Sequence, residues 1–257
     1  MKLNKYLFST FIAASALLIS SCSDFLDRSP QGQFTEDDNP NALVNGKIYN
    51  VYTMMRNFNI TAGTPALAIH CLRSEDSEKG SIPSDGSDVA EMYDDFLYTP
   101  TNGLLGAYWG QNYAVIYQCN DVIETIEKGN LTEENDLRNK GEALFFRAYC
   151  YFELLQAYGD LIITRTPLDI DSPEMQKARN PRTEVADFII DDLKEAAKLL
   201  PVDKAISSSD EGRLSSEAAL AFLSRVALYE GTWEKFHNGG QNTERTKNLL
   251  NTAAQAA

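Results

Sequence analysis

The chain is short of positive charge, histidine and cysteine. Lys and Arg number 23 against 37 Asp and Glu in 257 residues, a formal net charge of -14. A protein that grips phosphate backbones should be basic, so no nucleic-acid partner is expected, and an anionic membrane surface is an equally poor one. The two histidines, His70 and His237, lie far apart with no acidic motif beside either, which gives no support to a catalytic dyad. Neither G-x-S-x-G nor H-E-x-x-H occurs, which leaves the common hydrolase and zinc-protease signatures without a carrier. The four cysteines form no C-x-x-C and no Cys/His zinc spacing. Asp85-Gly86-Ser87-Asp88, with Glu91 beyond it, offers fewer oxygens than calcium needs and reads as a turn. No metal, no cofactor and no catalytic residue is therefore expected.

Proline is also absent from the stretch Gly141–Asp160, GEALFFRAYCYFELLQAYGD, and this segment dominates the chain. Thirteen of its twenty residues are Ala, Leu, Phe, Tyr or Cys, with glycine only at Gly141 and Gly159. An uninterrupted apolar run of this length predicts a helix, ended by Gly159. A helix apolar nearly all round must be covered on several sides, so Phe146, Ala148, Tyr151 and Leu154 are expected in the core. A membrane span needs roughly 20 residues nearly free of charge, and Arg147 and Glu153 sit mid-run. Arg147 must instead find a buried carboxylate or carbonyls. Ala143, Ala148 and Ala157 alternate with large residues, the small-against-large packing of helix-pair repeats.

The N-terminus has a different character. Lys2 and Lys5 precede an apolar stretch from Tyr6 to Ile19, the pattern of a secretory signal peptide. Its end, Ile19-Ser20-Ser21-Cys22, resembles a bacterial lipobox, in which cleavage before the cysteine leaves that residue as the lipid-bearing N-terminus. Residues 1–21 are thus expected to be a lipoprotein signal peptide, Cys22 the lipid attachment point and 22–38 a tether. Cys71, Cys119 and Cys150 remain, an odd number that excludes a complete disulfide framework. Cys119 and Cys150 lie in apolar helical context and are expected as buried free thiols.

Further on, Asn39-Pro40 predicts a helix start, with Val44, Ile48, Val51 and Met55 at helical spacing and an end near Arg56. Residues 57–101 are irregular and rich in Gly, Pro and charge; long loops in compact domains are commonly functional. Helical periodicity returns over Gly106–Lys128. Thr132 is expected to cap a helix that runs through Gly141, and residues 161–181 form a connector in which Leu161–Ile163 is a short strand or covered loop. Thr183 is expected to cap a helix with Val185, Ile189, Leu193, Ala196 and Leu200 on its inner stripe, stopped at Pro201. Ser215 or Ser216 starts another, with Ala219, Phe222, Leu223, Val226 and Tyr229 inward and Gly231 as its stop. A last helix covers Thr243 to Ala257.

Taken in order, CSDFLDRSP after the lipobox, WGQNYAVIYQCNDVI, GEALFFRAYCYFELLQAYGD and GRLSSEAALAFLSRVALYEG resemble the SusD/RagB family along nearly the whole mature chain. The resemblance implies an all-α fold of tetratricopeptide-like helical pairs with long irregular loops. It implies a non-catalytic lipoprotein at the cell outer membrane, facing the exterior, which binds a glycan or other nutrient. Its implied partner is a SusC-like TonB-dependent transporter, over which it sits as a lid. It also implies that residues 39–257 are the N-terminal region of a protein about twice as long. A secreted lipoprotein enzyme such as a glycoside hydrolase is the alternative, although nothing places the two carboxylates it would need.

Sugar recognition calls for flat aromatic faces beside planar polar groups. Within the irregular stretch the candidates are Tyr93, Phe96 and Tyr98, with Arg73, Asp76 and Asn102 as polar partners. Trp109, facing Tyr113 on a helix, is expected to be core, and Trp233 to be structural.

Overall fold

The computed structural model describes residues 40–56, 66, 69–75, 77–78, 96–169, 171–237 and 239–257. The chain divides into a unit of Met1–Pro40 and a unit of Asn41–Ala257, and the description below concerns the second. The stretches expected as signal peptide (1–21) and tether (22–38), with Cys22, and Asn39, Asp76, residues 85–88 and Tyr93, lie outside the described residues.

Among the described residues the fold is all-α. Its helices are α1 (Pro40–Met55), α2 (Gly103–Lys128), α3 (Glu134–Tyr158), α4 (Arg182–Leu199), α5 (Ser216–His237) and α6 (Glu244–Ala256). Each helix from α2 onward packs on the next, giving a run of consecutive helix pairs. No helix among the described residues is long and apolar enough to cross a membrane.

Helix α3 is the central element. Phe146, Ala148, Tyr151 and Leu154 are buried, together with Ala143, Phe152 and Leu155. The helix passes straight through Gly141 and ends at Gly159, whose φ of +75° is open to glycine at no steric cost. Gly141 serves contact rather than bending: a Cβ there would lie 3.0 Å from Leu200 Cγ and 3.1 Å from Leu199 Cβ, so α3 and the end of α4 meet at this point. On the other side Tyr52 of α1 meets Phe146 edge-on at 4.7 Å, and Lys47 of α1 pairs with Asp121 of α2 at 2.9 Å.

The charged residue in the middle of α3 is matched. Arg147 donates to both Asp192 oxygens at 2.7 and 2.8 Å and to Asn120 Oδ1 at 2.7 Å. Asn120 in turn donates to the carbonyls of Thr164 and Thr166 at 3.1 and 3.3 Å. The buried arginine thus joins α2, α3, α4 and the start of the 161–181 connector. Cys119 and Cys150 are buried free thiols, pushed by burial well above the ordinary thiol range, whereas Cys71 is exposed.

Several expected helix boundaries move. Helix α2 begins three residues earlier than its apolar periodicity indicates, because Asn102 Oδ1 accepts from the Leu104 amide at 2.9 Å and caps it. Thr132 is not the cap of α3; Glu133 holds that position without a side-chain bond. Thr183 lies inside α4, whose cap position is Pro181. There Asp160, just beyond α3, accepts from the Arg182 amide at 2.9 Å, so a distant side chain does the work of a local cap. Gly231 does not stop α5, which continues to His237. A Cβ on Gly231 would fall 2.9 Å from Leu250 Cδ2, so the glycine is a seat for α6. Leu161 forms a single antiparallel bridge to Asn180, which closes the connector on itself.

Candidate functional site

The connector and the irregular segment before α2 frame two clefts. The larger, about 710 Å³, lies between the connector and α4. Its one aromatic ring is that of Phe188, with the Arg147 guanidinium 4.9 Å and the Arg165 guanidinium 4.5 Å from its centroid. Most of its other charges are engaged: Lys177 with Glu174, Asn180 with Glu184 and Asp187 with Arg245. It offers no free flat ring.

The second cleft, about 480 Å³, is of a different kind. Arg73, Tyr98, Leu105, Trp109, Tyr158 and Arg179 are among the residues that line it. It is assembled from four pieces of chain. The segment around Ile69 is pinned by that side chain, which is 1 % exposed and packs with Ala66 and Tyr108. Arg73 follows one turn later and donates through Nε to the Ile69 carbonyl at 2.7 Å, which fixes the base of its guanidinium. Tyr98 and Leu105 flank the Asn102 cap and pack against the same buried cluster of Ala66, Ile69 and Tyr108. Trp109 comes from the first turns of α2 and Tyr158 from the last residue of α3. Tyr158 meets Trp109 edge-on at 5.1 Å and donates its hydroxyl to the Leu105 carbonyl at 2.7 Å. Arg179, on the returning arm of the connector, lies over the Trp109 ring at 5.1 Å.

Beneath the cleft sits a polar group that holds the parts together. The Tyr108 hydroxyl donates to Glu153 Oε2 at 2.6 Å, and His70 Nε2 lies 2.9 Å from that hydroxyl and 3.0 Å from the same carboxylate. Burial, followed by the neighbouring Glu153 carboxylate, raises the Tyr108 phenol well above its ordinary value, so it is a donor here. His70 has therefore found a carboxylate that its sequence neighbourhood lacked. The cluster ties the segment carrying Arg73 to α2 and α3.

The sequence candidates divide accordingly. Arg73 and Tyr98 line the cleft. Asn102 is the cap of α2. Phe96 is 65 % exposed, with a positive φ of 56° that is uncommon for a bulky residue, and is not among the lining residues. Tyr93 lies outside the described residues. Trp109, expected as core, is half-buried: it packs against the main core and also lines the cleft. Tyr158 and Arg179 were not singled out by sequence. The only signal for Tyr158 was its place beside the Gly159 stop, and nothing distinguished Arg179 among the connector's charges. Trp233 is structural: His237 stacks on it at 3.9 Å and the Arg182 guanidinium lies 4.4 Å from its ring centre.

Comparison with known proteins assigns this helical scaffold to a family. Residues 24–228 match the SusD-like family described as "Starch-binding associating with outer membrane". The chain belongs to the SusD-like family. A SusD-like protein of Bacteroides ovatus is 28 % identical over 251 residues, covering 91 % of this chain and 40 % of that protein. SusD-like protein P2 of Formosa agariphila is 27 % identical and covers 88 % of this chain and 43 % of its own. The chain therefore spans about two-fifths of the length of these relatives. Among solved structures, a laminarin-binding SusD-like protein superposes with a TM-score of 0.64 at 24 % identity, covering 76 % of this chain and 41 % of that one. At that identity the likeness speaks for the fold.

Proposed function

We propose that this chain is the N-terminal region of a glycan-binding lipoprotein, held at the outer membrane by lipid on Cys22. It faces the cell exterior and delivers its ligand to a SusC-like TonB-dependent transporter. The observation that carries the binding reading is the second cleft, where Tyr98, Trp109 and Tyr158 converge with two guanidiniums on a scaffold fixed by Tyr108 and Glu153. Tyrosine rings offer flat apolar surface to a sugar face, worth on the order of 1 kcal/mol beyond burial. Planar guanidinium edges suit ring substituents. Family membership and the surface description that goes with it support the location, and the Ile19–Cys22 pattern supports the anchor.

The test mixes the purified full chain with a panel of oligosaccharides and follows both affinity and chain length. Binding without release of reducing ends supports the proposal. Hydrolysis would favour a glycosidase instead, and absence of binding across the panel would contradict a glycan-binding role. Tyr98→Ala is expected to weaken binding several-fold with little change in melting temperature. For the anchor, Cys22→Ser should move the protein from the membrane to the soluble fraction; equal soluble amounts of both forms would count against lipidation.

A further inference from the structure

The charges lining the cleft run opposite to those of the chain. Across 257 residues acids outnumber bases by 37 to 23, yet the cleft's lining among the described residues holds Arg73 and Arg179 and no carboxylate. Five other arginines are paired with acids. Arg138 and Arg213 pair with Glu142 and Asp210, Arg147 with Asp192, Arg182 with Glu230 and Arg245 with Glu234. Among the described residues, neither Arg73 nor Arg179 has a carboxylate within ion-pair distance. Each is instead held by something that leaves donors over. Arg73 uses Nε on the Ile69 carbonyl, so its terminal nitrogens remain. Arg179 lies over Trp109 with its guanidinium carbon 5.1 Å from the ring centroid, and a contact of this cation–π kind uses none of the five N–H donors.

We infer that the cleft selects anionic saccharides, whose ring carboxylate or sulfate meets Arg73 and Arg179 while the sugar ring lies against Tyr98 and Tyr158. This rests on the glycan-binding reading above and names its substrate class. Arg179 covers the Trp109 ring that a neutral sugar would stack upon. The cleft therefore presents a guanidinium where a neutral-glycan site would present bare indole. A carboxylate and a sulfate both offer paired oxygens to such a group. The net charge of -14 does not oppose the match at close range, because charges farther than about 10 Å are largely screened at 0.1 M salt.

Calorimetry on the full chain with matched ligand pairs tests this. Uronate oligosaccharides (galacturonate, glucuronate and alginate-type) are each compared with their carboxyl-reduced counterparts, and sulfated oligosaccharides with their desulfated ones. The expected result is that in at least one pair the charged member binds about tenfold or more tightly, in line with hydrogen bonds to a charged group. Which pair responds identifies the anion. Arg179→Gln should remove that advantage, lowering affinity for the charged member about tenfold towards that of its neutral counterpart. Arg73→Lys, which keeps the charge and loses the fork, should reduce it in part. Neutral members binding as well as charged ones in every pair would overturn the inference and leave the glycan reading standing. A charged preference that survives both variants would overturn the assignment to these arginines. Failure of every member of every pair to bind would overturn the glycan reading along with the inference.

Discussion

A guanidinium in the middle of an apolar helix has to meet a carboxylate, and for Arg147 that carboxylate is Asp192, which accepts with both oxygens. Removing one partner leaves a charge buried alone. Asp192→Ala is therefore expected to cost about 3–5 kcal/mol, read as a shift in the urea midpoint at constant slope. Replacing both, as Arg147→Met with Asp192→Leu, should recover most of that loss. The need for a partner was legible in the sequence. Which carboxylate it would be was not, since Asp192 lies 45 residues away on α4. The thiols give a second residue-scale expectation. Cys71 should react with iodoacetamide in the native protein, and Cys119 and Cys150 only after unfolding, because both are fully buried and burial disfavours their thiolates. Peptide mass spectrometry at increasing denaturant separates the three.

Among the elements, the central helix and the order of those after it were plain in the apolar periodicity, since α3 to α6 each keep a buried stripe. Helix ends were less legible. Gly231 looks like a stop in sequence, yet its purpose is set by Leu249 and Leu250 of α6, a contact that local pattern cannot express. The start of α4 likewise depends on Asp160 from across the connector rather than on a neighbouring Thr. If both glycines are seats for a neighbouring chain segment, Gly141→Val and Gly231→Val should each destabilise by about 1–3 kcal/mol through overpacking. Helical circular dichroism should stay near wild type below the transition. Unchanged denaturant midpoints would show that the neighbouring helix is free to shift aside.

At the scale of the whole molecule, the all-α class and the family followed from motif order, while the site was only half visible. Arg73 and Tyr98 stood out as an arginine and a tyrosine in an irregular stretch. Trp109 and Tyr158 did not, because at a helix end the same periodicity describes a ring facing the core and a ring facing a cleft. The chain holds two tryptophans, and they are placed to report separately. Trp109 lines the cleft, whereas Trp233 on α5 is stacked with His237 and lies beneath Arg182 of α4. The most direct measurement is thus the emission of Trp109 in a Trp233→Phe variant, titrated with whichever oligosaccharide binds by calorimetry. A saturable change whose midpoint matches the calorimetric affinity, and which shifts to higher concentration in Tyr98→Ala, is the predicted result. Binding by calorimetry with no change in Trp109 emission would place the sugar elsewhere and contradict the assignment of this cleft.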